Sequence, residues 1–359
     1  MIKIAIDARF YGSGHTGLGR YTTNVLKYLP NHLQGYTLQV LLRDAEYDNF
    51  PSGKNIEKIH AEIPHYSLAE QLKLPRLLKS IGADLLYTFH FNTPVLSDIP
   101  TIVTVHDLIK SHFTGRDTTT RSPWLYALKR AGYNRVLAKT LIHASDIIVP
   151  TNTVKNDILG KFFTLKPESI HPIPEAPDEI FRQNLKLENL RFEIPNKYIL
   201  FVGNVYPHKN LPVLLEAMKS LPEYDLVIVA KPSPFLSRVL APYERARIHI
   251  LSDLRDPELV GVYRRATALV TPSLMEGYGL VGLEALMVGT PVIASNIPVY
   301  REVYGKNVTY FDPHSVSDLV RAIRSLAIGH RPSTMKLDRT WDNVARDIAE
   351  VIHACCASL

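Results

Sequence analysis

Two glutamates, Glu276 and Glu284, stand with seven residues between them in Glu276-Gly277-Tyr278-Gly279-Leu280-Val281-Gly282-Leu283-Glu284. Three of the intervening residues are glycine, which lets a backbone approach a ligand closely. The run Ala268-Leu-Val-Thr before them reads as a strand, and Leu283-Glu-Ala-Leu-Met-Val after them as a helix. A helix that begins just past such a turn directs N–H groups at an anion. Carboxylates flanking that turn suit hydroxyl groups on either side of a phosphate. A nucleotide-sugar has this layout: sugar hydroxyls, pyrophosphate, ribose hydroxyls. An ordinary helix glutamate is a solvated surface group. Glu284, however, sits among Leu283, Ala285, Leu286 and Met287, where a carboxylate is costly unless hydrogen-bonded.

Three further segments carry residues of the right kind. Gly203-Asn-Val-Tyr-Pro-His208-Lys209-Asn210 follows the strand-like run Tyr198–Val202 and precedes a helix from Leu211. Lys209 is placed there to neutralise a diphosphate. The alternative is a solvated lysine, but a cation at a helix start opposes the helix dipole and so wants an anion nearby. His106 directly follows the apolar run Thr101–Val105. A neutral imidazole there can hydrogen-bond a sugar hydroxyl or a phosphate oxygen, or be satisfied inside a turn.

The third segment is Gly12-Ser-Gly14-His-Thr-Gly17-Leu-Gly19, before a helix over Arg20–Leu29. It matches G-x-G-x-x-G, the dinucleotide fingerprint. That fingerprint turns at the strand end itself. Here Asp7-Ala-Arg-Phe-Tyr separates the strand end near Ile6 from the first glycine. The preferred reading is a longer loop that closes over a ligand, with Gly17 and Gly19 beside the helix start. A solvent-exposed linker is the alternative.

No Asp-x-Asp occurs in the chain, so no metal is expected, and the diphosphate falls to N–H groups and Lys209. A G-x-S-x-G hydrolase elbow and a P-loop lysine are also missing. The 359 residues suggest about two domains, and 46% hydrophobic with 21% charged residues is ordinary for a globular protein. A net charge of +6 suits an anionic ligand or an acidic membrane surface, and no basic tract with interleaved aromatics points to nucleic acid. Cys355 and Cys356, adjacent and alone, suit a reducing cytosol and make no zinc site. Met1-Ile-Lys-Ile-Ala-Ile-Asp runs straight into a strand pattern, unlike a signal peptide. The uncharged stretch Ala285–Tyr300 is too short and too broken by Gly289, Pro291 and Pro298 to span a bilayer. A cytoplasmic protein is expected.

Short β-branched runs alternate with helix-length segments in both halves, which predicts an α/β fold with parallel sheets covered on both faces. The runs are Ile2–Ile6, Thr37–Leu42, Asp84–Tyr87, Thr101–Val105 and Asp146–Val149, then Tyr198–Val202, Asp225–Val229, Ile248–Leu251, Ala268–Val270 and Val292–Ser295. Prolines around Pro172–Asn196 interrupt the alternation. The expected domains are residues 1–175 and 197–335, a linker over 176–196, and a C-terminal helix in 336–359 packing toward the first domain. Open parallel sheets bind ligands at the carboxyl ends of their strands, where the loops just described lie.

Together these segments resemble the retaining glycosyltransferases of family four. The resemblance rests on Glu276…Glu284, the following Gly289-Thr-Pro-Val-Ile-Ala-Ser, Pro-His-Lys209-Asn and Gly17-Leu-Gly-Arg-Tyr-Thr, and it spans nearly the whole chain. It implies a GT-B architecture, two Rossmann-like domains facing a central cleft. It implies that Glu276 contacts the donor sugar, Glu284 the ribose and Lys209 the diphosphate. His106 then lies beside the sugar, with Gly17 and Gly19 near the phosphates and the acceptor, and Gly277, Tyr278, Gly279 and Leu280 forming the phosphate turn. The family's usual arginine after the glycine of the second-domain loop is replaced by Asn204.

Glu70-Gln71-Leu and Val-His-Asp-Leu add a likeness to mannosyltransferases of bacterial polysaccharide assembly, making GDP-mannose the first donor expected and UDP-glucose the second. The acceptor implied is a glycan or lipid-linked saccharide. The segment Trp124–Lys139, with Lys129, Arg130, Arg135 and Lys139, reads either as a plain surface helix or as one that docks peripherally on the anionic inner face of the cytoplasmic membrane. Competing readings are an NAD(P)-dependent oxidoreductase, which leaves the glutamate pair unexplained, and a non-catalytic subunit that binds nucleotide-sugar without turnover.

Overall fold

The apolar β-branched runs form strands buried on both faces, as parallel sheets covered by helices require. The computed structural model describes residues 1–12, 16–114, 123–183, 191–243, 247–326 and 337–359. The chain divides into two units. The first comprises Met1–Leu108, Ser122–Ala176 and Arg339–Leu359, and the second comprises Ile109–Arg121 and Pro177–Asp338.

The first unit holds β1 (Lys3–Asp7), β2 (Thr37–Leu42), β3 (Ile56–His60), β4 (Leu85–Thr88), β5 (Thr101–Thr104), β6 (Asp146–Val149) and β7 (Ile170–Pro172). They are ordered β3-β2-β1-β4-β5-β6-β7, and every neighbouring pair is parallel. The second unit holds β8 (Tyr198–Val202), β9 (Asp225–Val229), β10 (Ile248–Leu251), β11 (Ala268–Thr271), β12 (Val292–Ser295) and β13 (Thr309–Phe311). Their order is β10-β9-β8-β11-β12-β13, again all parallel.

Three strands lie outside the sequence expectation: β3, β7 and β13. Each is a sheet edge. An edge strand needs no two-sided apolar run, so Ile56-Glu-Lys-Ile-His carries charge and is partly exposed. Pro172 reads as a linker residue in sequence, but it ends β7 and pairs with Val149, a position that an edge tolerates.

The order of strands reverses direction at one place in each sheet. In the first unit β1 lies beside β4, with Asp7 opposite Thr88. In the second, β8 lies beside β11, with Leu200 opposite Leu269. The loops leaving such neighbouring strands diverge and open a crevice at their carboxyl ends.

Helices close both faces of each sheet. In the first unit the helices Thr16–His32 and Trp341–Cys356 share one core, where Tyr21, Val25 and Leu29 meet Trp341, Ile348 and Ile352. Cys355 and Cys356 are buried in that core as free thiols. In the second unit Leu211–Met218 and Val316–Leu326 cover one face, and Asp256–Arg265, Leu280–Met287 and Pro298–Tyr304 cover the other.

Candidate active site

The switch point of the second sheet brings together the loops after β8 and β11, and these carry Lys209 and Glu276. Gly203, at φ +135°, lets the chain turn at the end of β8. The short turn Pro207–Lys209 then ends at Asn210, which is left-handed at φ +52° and donates its side-chain amide to the Pro313 carbonyl at 2.8 Å. The Leu274 N–H donates to the His208 carbonyl at 2.7 Å and ties the two loops together.

Lys209 Nζ lies 2.6 Å from Glu276 Oε1. The same oxygen accepts from Ser273 Oγ at 2.6 Å and from the Tyr300 hydroxyl at 3.2 Å. Tyr300 is 2.5 Å from Thr271 Oγ1, at the end of β11. Burial by itself would raise the Glu276 carboxyl. The Lys209 ammonium and the hydrogen bonds from Lys209 and Ser273 hold it below its ordinary 4.5 instead. Burial and the Glu276 charge push the Tyr300 phenol well above its ordinary 10, so it serves as a donor. Among the described residues, every donor to Glu276 falls on Oε1.

Gly277–Gly279 is the turn between the two carboxylates. Gly279 has φ +102° and lies against an aromatic wall, and a Cβ there would come within 2.7 Å of Tyr300 Cε1. The Tyr304 hydroxyl donates to the Gly279 carbonyl at 2.5 Å, and its ring stacks on Tyr300 with centroids 4.9 Å apart. The helix Leu280–Met287 starts directly afterwards, so the N–H groups of Leu280 and Val281 lack intrahelical acceptors, while that of Gly282 donates to the Gly279 carbonyl at 3.2 Å. Glu284 is buried on this helix and accepts from the Tyr263 hydroxyl at 2.9 Å. The side chain of Tyr278 is buried in the core with Leu283 and Tyr300, so what it offers a ligand is backbone.

Gly17, Gly19 and His106 belong to the first unit. The helix expected over Arg20–Leu29 begins earlier, at Thr16. Gly17 and Gly19 therefore form its first turn instead of the loop before it. Residues 13–15 of the glycine segment lie outside the described residues. His106 follows β5, but both ring nitrogens meet protein acceptors. Nδ1 is 3.3 Å from Glu175 Oε1, and Nε2 is 3.0 Å from the Phe89 carbonyl. Tyr21 packs edge-on against the ring at 4.6 Å. Burial would lower this imidazole, but Glu175 raises it above its ordinary 6.5. This differs from the neutral imidazole open to a ligand that its position after a strand suggested.

Sequence reasoning did not find Ser273, Tyr300, Tyr304 or Tyr263. Ser273 was within reach, three residues before Glu276 after an apolar strand. The tyrosines come from other elements, and nothing local links Tyr300 to a carboxylate 24 residues earlier.

Two Rossmann-like units in one chain, the second with a lysine–carboxylate pair and a glycine turn at its switch point, define a glycosyltransferase of GT-B architecture. The family model for Glycosyltransferase Family 4 matches residues 15–179, and that for Glycosyl transferases group 1 matches residues 184–346. The chain belongs to the family-4 glycosyltransferases. It is 27% identical over 270 residues to the O-antigen chain mannosyltransferase RfbU of Salmonella typhimurium, covering 73% of this chain and 70% of that one. It is 28% identical over 293 residues to the serotype-specific mannosyltransferase WbdA of Escherichia coli, covering 74% of this chain but 35% of that longer protein. Among solved structures it is similar in fold to WaaG, a glycosyltransferase involved in lipopolysaccharide biosynthesis. That match has a TM-score of 0.67 at 18% identity, over 97% of this chain and 95% of the other.

Proposed function

We propose that this hexosyltransferase moves mannose from GDP-mannose, with UDP-glucose the next candidate donor, to a hydroxyl of a glycan or lipid-linked saccharide. The convergence of Lys209, Ser273 and Tyr300 on one oxygen of Glu276 carries the reading. With those donors on Oε1, Oε2 remains to accept from a sugar hydroxyl. Lys209 and the N–H groups of Leu280 and Val281, at the start of the helix Leu280–Met287, take the diphosphate, and Glu284, held by Tyr263, takes the ribose. The mannosyltransferase relatives favour mannose as the sugar.

Transfer proceeds with retention. The bond from the anomeric carbon to the diphosphate oxygen breaks, and the acceptor oxygen bonds to that carbon from the same face. The acceptor proton passes to the departing phosphate oxygen. Catalysis is then positioning together with stabilisation of the leaving group's charge, supplied by Lys209 and backbone N–H groups with no metal. Activity with each donor is measured with excess EDTA, and the product anomer is read by NMR. Mannose transfer in EDTA giving the α-anomer is expected from an α-linked donor. Activity lost in EDTA or an inverted product would overturn the metal-free retaining reading.

No described helix is long and apolar enough to cross a membrane. The helix Pro123–His143 does present Trp124 and Leu128 at 71% and 64% exposure, beside Lys129 and Arg130. An aromatic, an aliphatic and two cations on an exposed segment suit an anionic lipid surface, and docking there would bring a lipid-linked acceptor to the enzyme.

A further inference from the structure

The helix Pro298–Tyr304 carries Tyr300 and Tyr304 four residues apart, so both rings project from one face. They meet the segment between the two glutamates. Tyr300 reaches Glu276, and Tyr304 reaches the Gly277–Gly279 turn. Both side chains are fully buried, and their rings stack at 4.9 Å. Tyr310, on β13, anchors the end of this helix, with its hydroxyl 2.9 Å from the carbonyls of Tyr300 and Gly305.

The Tyr304 hydroxyl fills space that two glycines leave open. A Cβ on Gly279 or on Gly282 would fall on it. Sequence reasoning gives those glycines to a ligand, but their open side is taken by a tyrosine. The hydroxyl donates to the Gly279 carbonyl at 2.5 Å, and the Gly282 N–H meets the same carbonyl at 3.2 Å. Burial, with Tyr300 and Glu276 close by, pushes this phenol well above its ordinary 10, so it stays a donor.

The Gly279 carbonyl belongs to the same peptide as the Leu280 N–H. That peptide is planar and trans, so its carbonyl and its N–H point opposite ways. Holding the carbonyl against the buried tyrosine therefore turns the N–H away from it. Gly279, at φ +102° and ψ +44°, does not fix this plane by itself, since glycine takes either sign of φ at little cost. A group from outside the turn must do so. Two donors on one carbonyl also polarise the amide, which strengthens its N–H as a donor.

We infer that Tyr304 is a positioning residue for the donor: by gripping the Gly279 carbonyl it aims the Leu280 N–H at the diphosphate. This rests on the donor reading above and adds to it. Tyr300 holds the carboxylate proposed for the sugar, and Tyr304 holds the amide proposed for the phosphate. One short helix then sets the spacing between the two.

Calorimetry on the full chain, with GDP and GDP-mannose and with UDP and UDP-glucose, compares wild type with Tyr304→Phe. Phenylalanine keeps the stacked ring and removes only the hydroxyl. Affinity should fall about ten-fold, and by the same factor for a bare nucleotide as for its sugar, because the defect lies at the diphosphate. Gly282→Ala is the second variant. Its methyl displaces the hydroxyl while alanine itself favours a helix, and it should show the same equal loss. NMR on protein labelled in glycine carbonyls and leucine nitrogens isolates the Gly-Leu peptides, which are those of Leu18, Leu280 and Leu283. The Leu280 amide, assigned by its disappearance in Leu280→Ile, should shift when nucleotide binds wild type and shift less in Tyr304→Phe. Unchanged affinity in either variant overturns the inference. So does a loss confined to the nucleotide-sugars, which would place the effect on Tyr300 and Glu276, or a wild-type Leu280 amide that does not respond to bound nucleotide. Failure of wild type to bind any of the four ligands would instead overturn the donor reading.

Discussion

Lys209 Nζ sits 2.6 Å from Glu276 Oε1, joining the loop after β8 to the loop after β11. The two charges proposed to meet a diphosphate and a sugar therefore neutralise each other. Each partner also depends on the other, because a buried charge left alone is costly. Lys209→Met should lower kcat/KM for the donor by about 100-fold or more, the usual scale for losing a charge-stabilising donor. Steady-state kinetics with GDP-mannose checks this, and a loss smaller than about ten-fold would contradict the role given to Lys209.

The two glutamates should fail differently. Glu284→Ala should weaken nucleotide binding in calorimetry, and Tyr263→Phe should do so more mildly, by about one hydrogen bond or ~1 kcal/mol. Glu276→Ala should mainly lower kcat. Equal loss of nucleotide affinity at both positions would undo the division of labour between sugar and ribose.

Gly279→Ala should destabilise the second unit. The residue would hold a Cβ at φ +102° and press it on Tyr300, a ring with no room to retreat between Tyr304 and Glu276. Overpacking of this kind costs about 1–3 kcal/mol, with backbone strain in addition. Thermal or urea unfolding reads the loss directly, and a variant as stable as wild type would mean that the aromatic wall yields.

The His106–Glu175 pair makes a pH prediction. Glu175 raises the imidazole above its ordinary 6.5 in the folded state. A raised folded pKa adds stability that is complete below 6.5 and is lost as pH rises through the folded value. Wild type should therefore be more stable than Glu175→Gln at about pH 6, and the gap should narrow toward about pH 9. Melting curves at several pH values test this. A gap that stays constant would mean that the ring's charge is not what Glu175 stabilises.

Trp124→Ala combined with Leu128→Ala should reduce co-sedimentation with phosphatidylglycerol vesicles and leave nucleotide binding untouched. Binding should also weaken with salt, because Lys129 and Arg130 act through screened charge. Vesicle binding that is unchanged in the double variant would return this helix to an ordinary surface.

The sequence by itself determined the alternation of strand and helix, because strands buried on both faces must be apolar throughout, and runs such as Tyr198-Ile-Leu-Phe-Val are readable as such. It also determined which residues stand at the carboxyl ends of those strands. Glu276, Glu284 and Lys209 were therefore legible from spacing and local composition. Edge strands were not legible, since an edge relaxes the demand for apolar residues that makes a strand visible.

Only the tertiary structure decided how those residues are held. Parallel strands are joined by long crossovers, so neighbours in space are far apart in the chain. Tyr300 reaches Glu276 across 24 residues, Glu175 reaches His106 across 69, and Glu70 reaches Arg9 across 61. No local pattern encodes such pairs. Spacing named the charged groups, and the crossovers chose their partners: a lysine, a serine and a tyrosine for Glu276, and a glutamate that occupies the histidine expected to face a ligand.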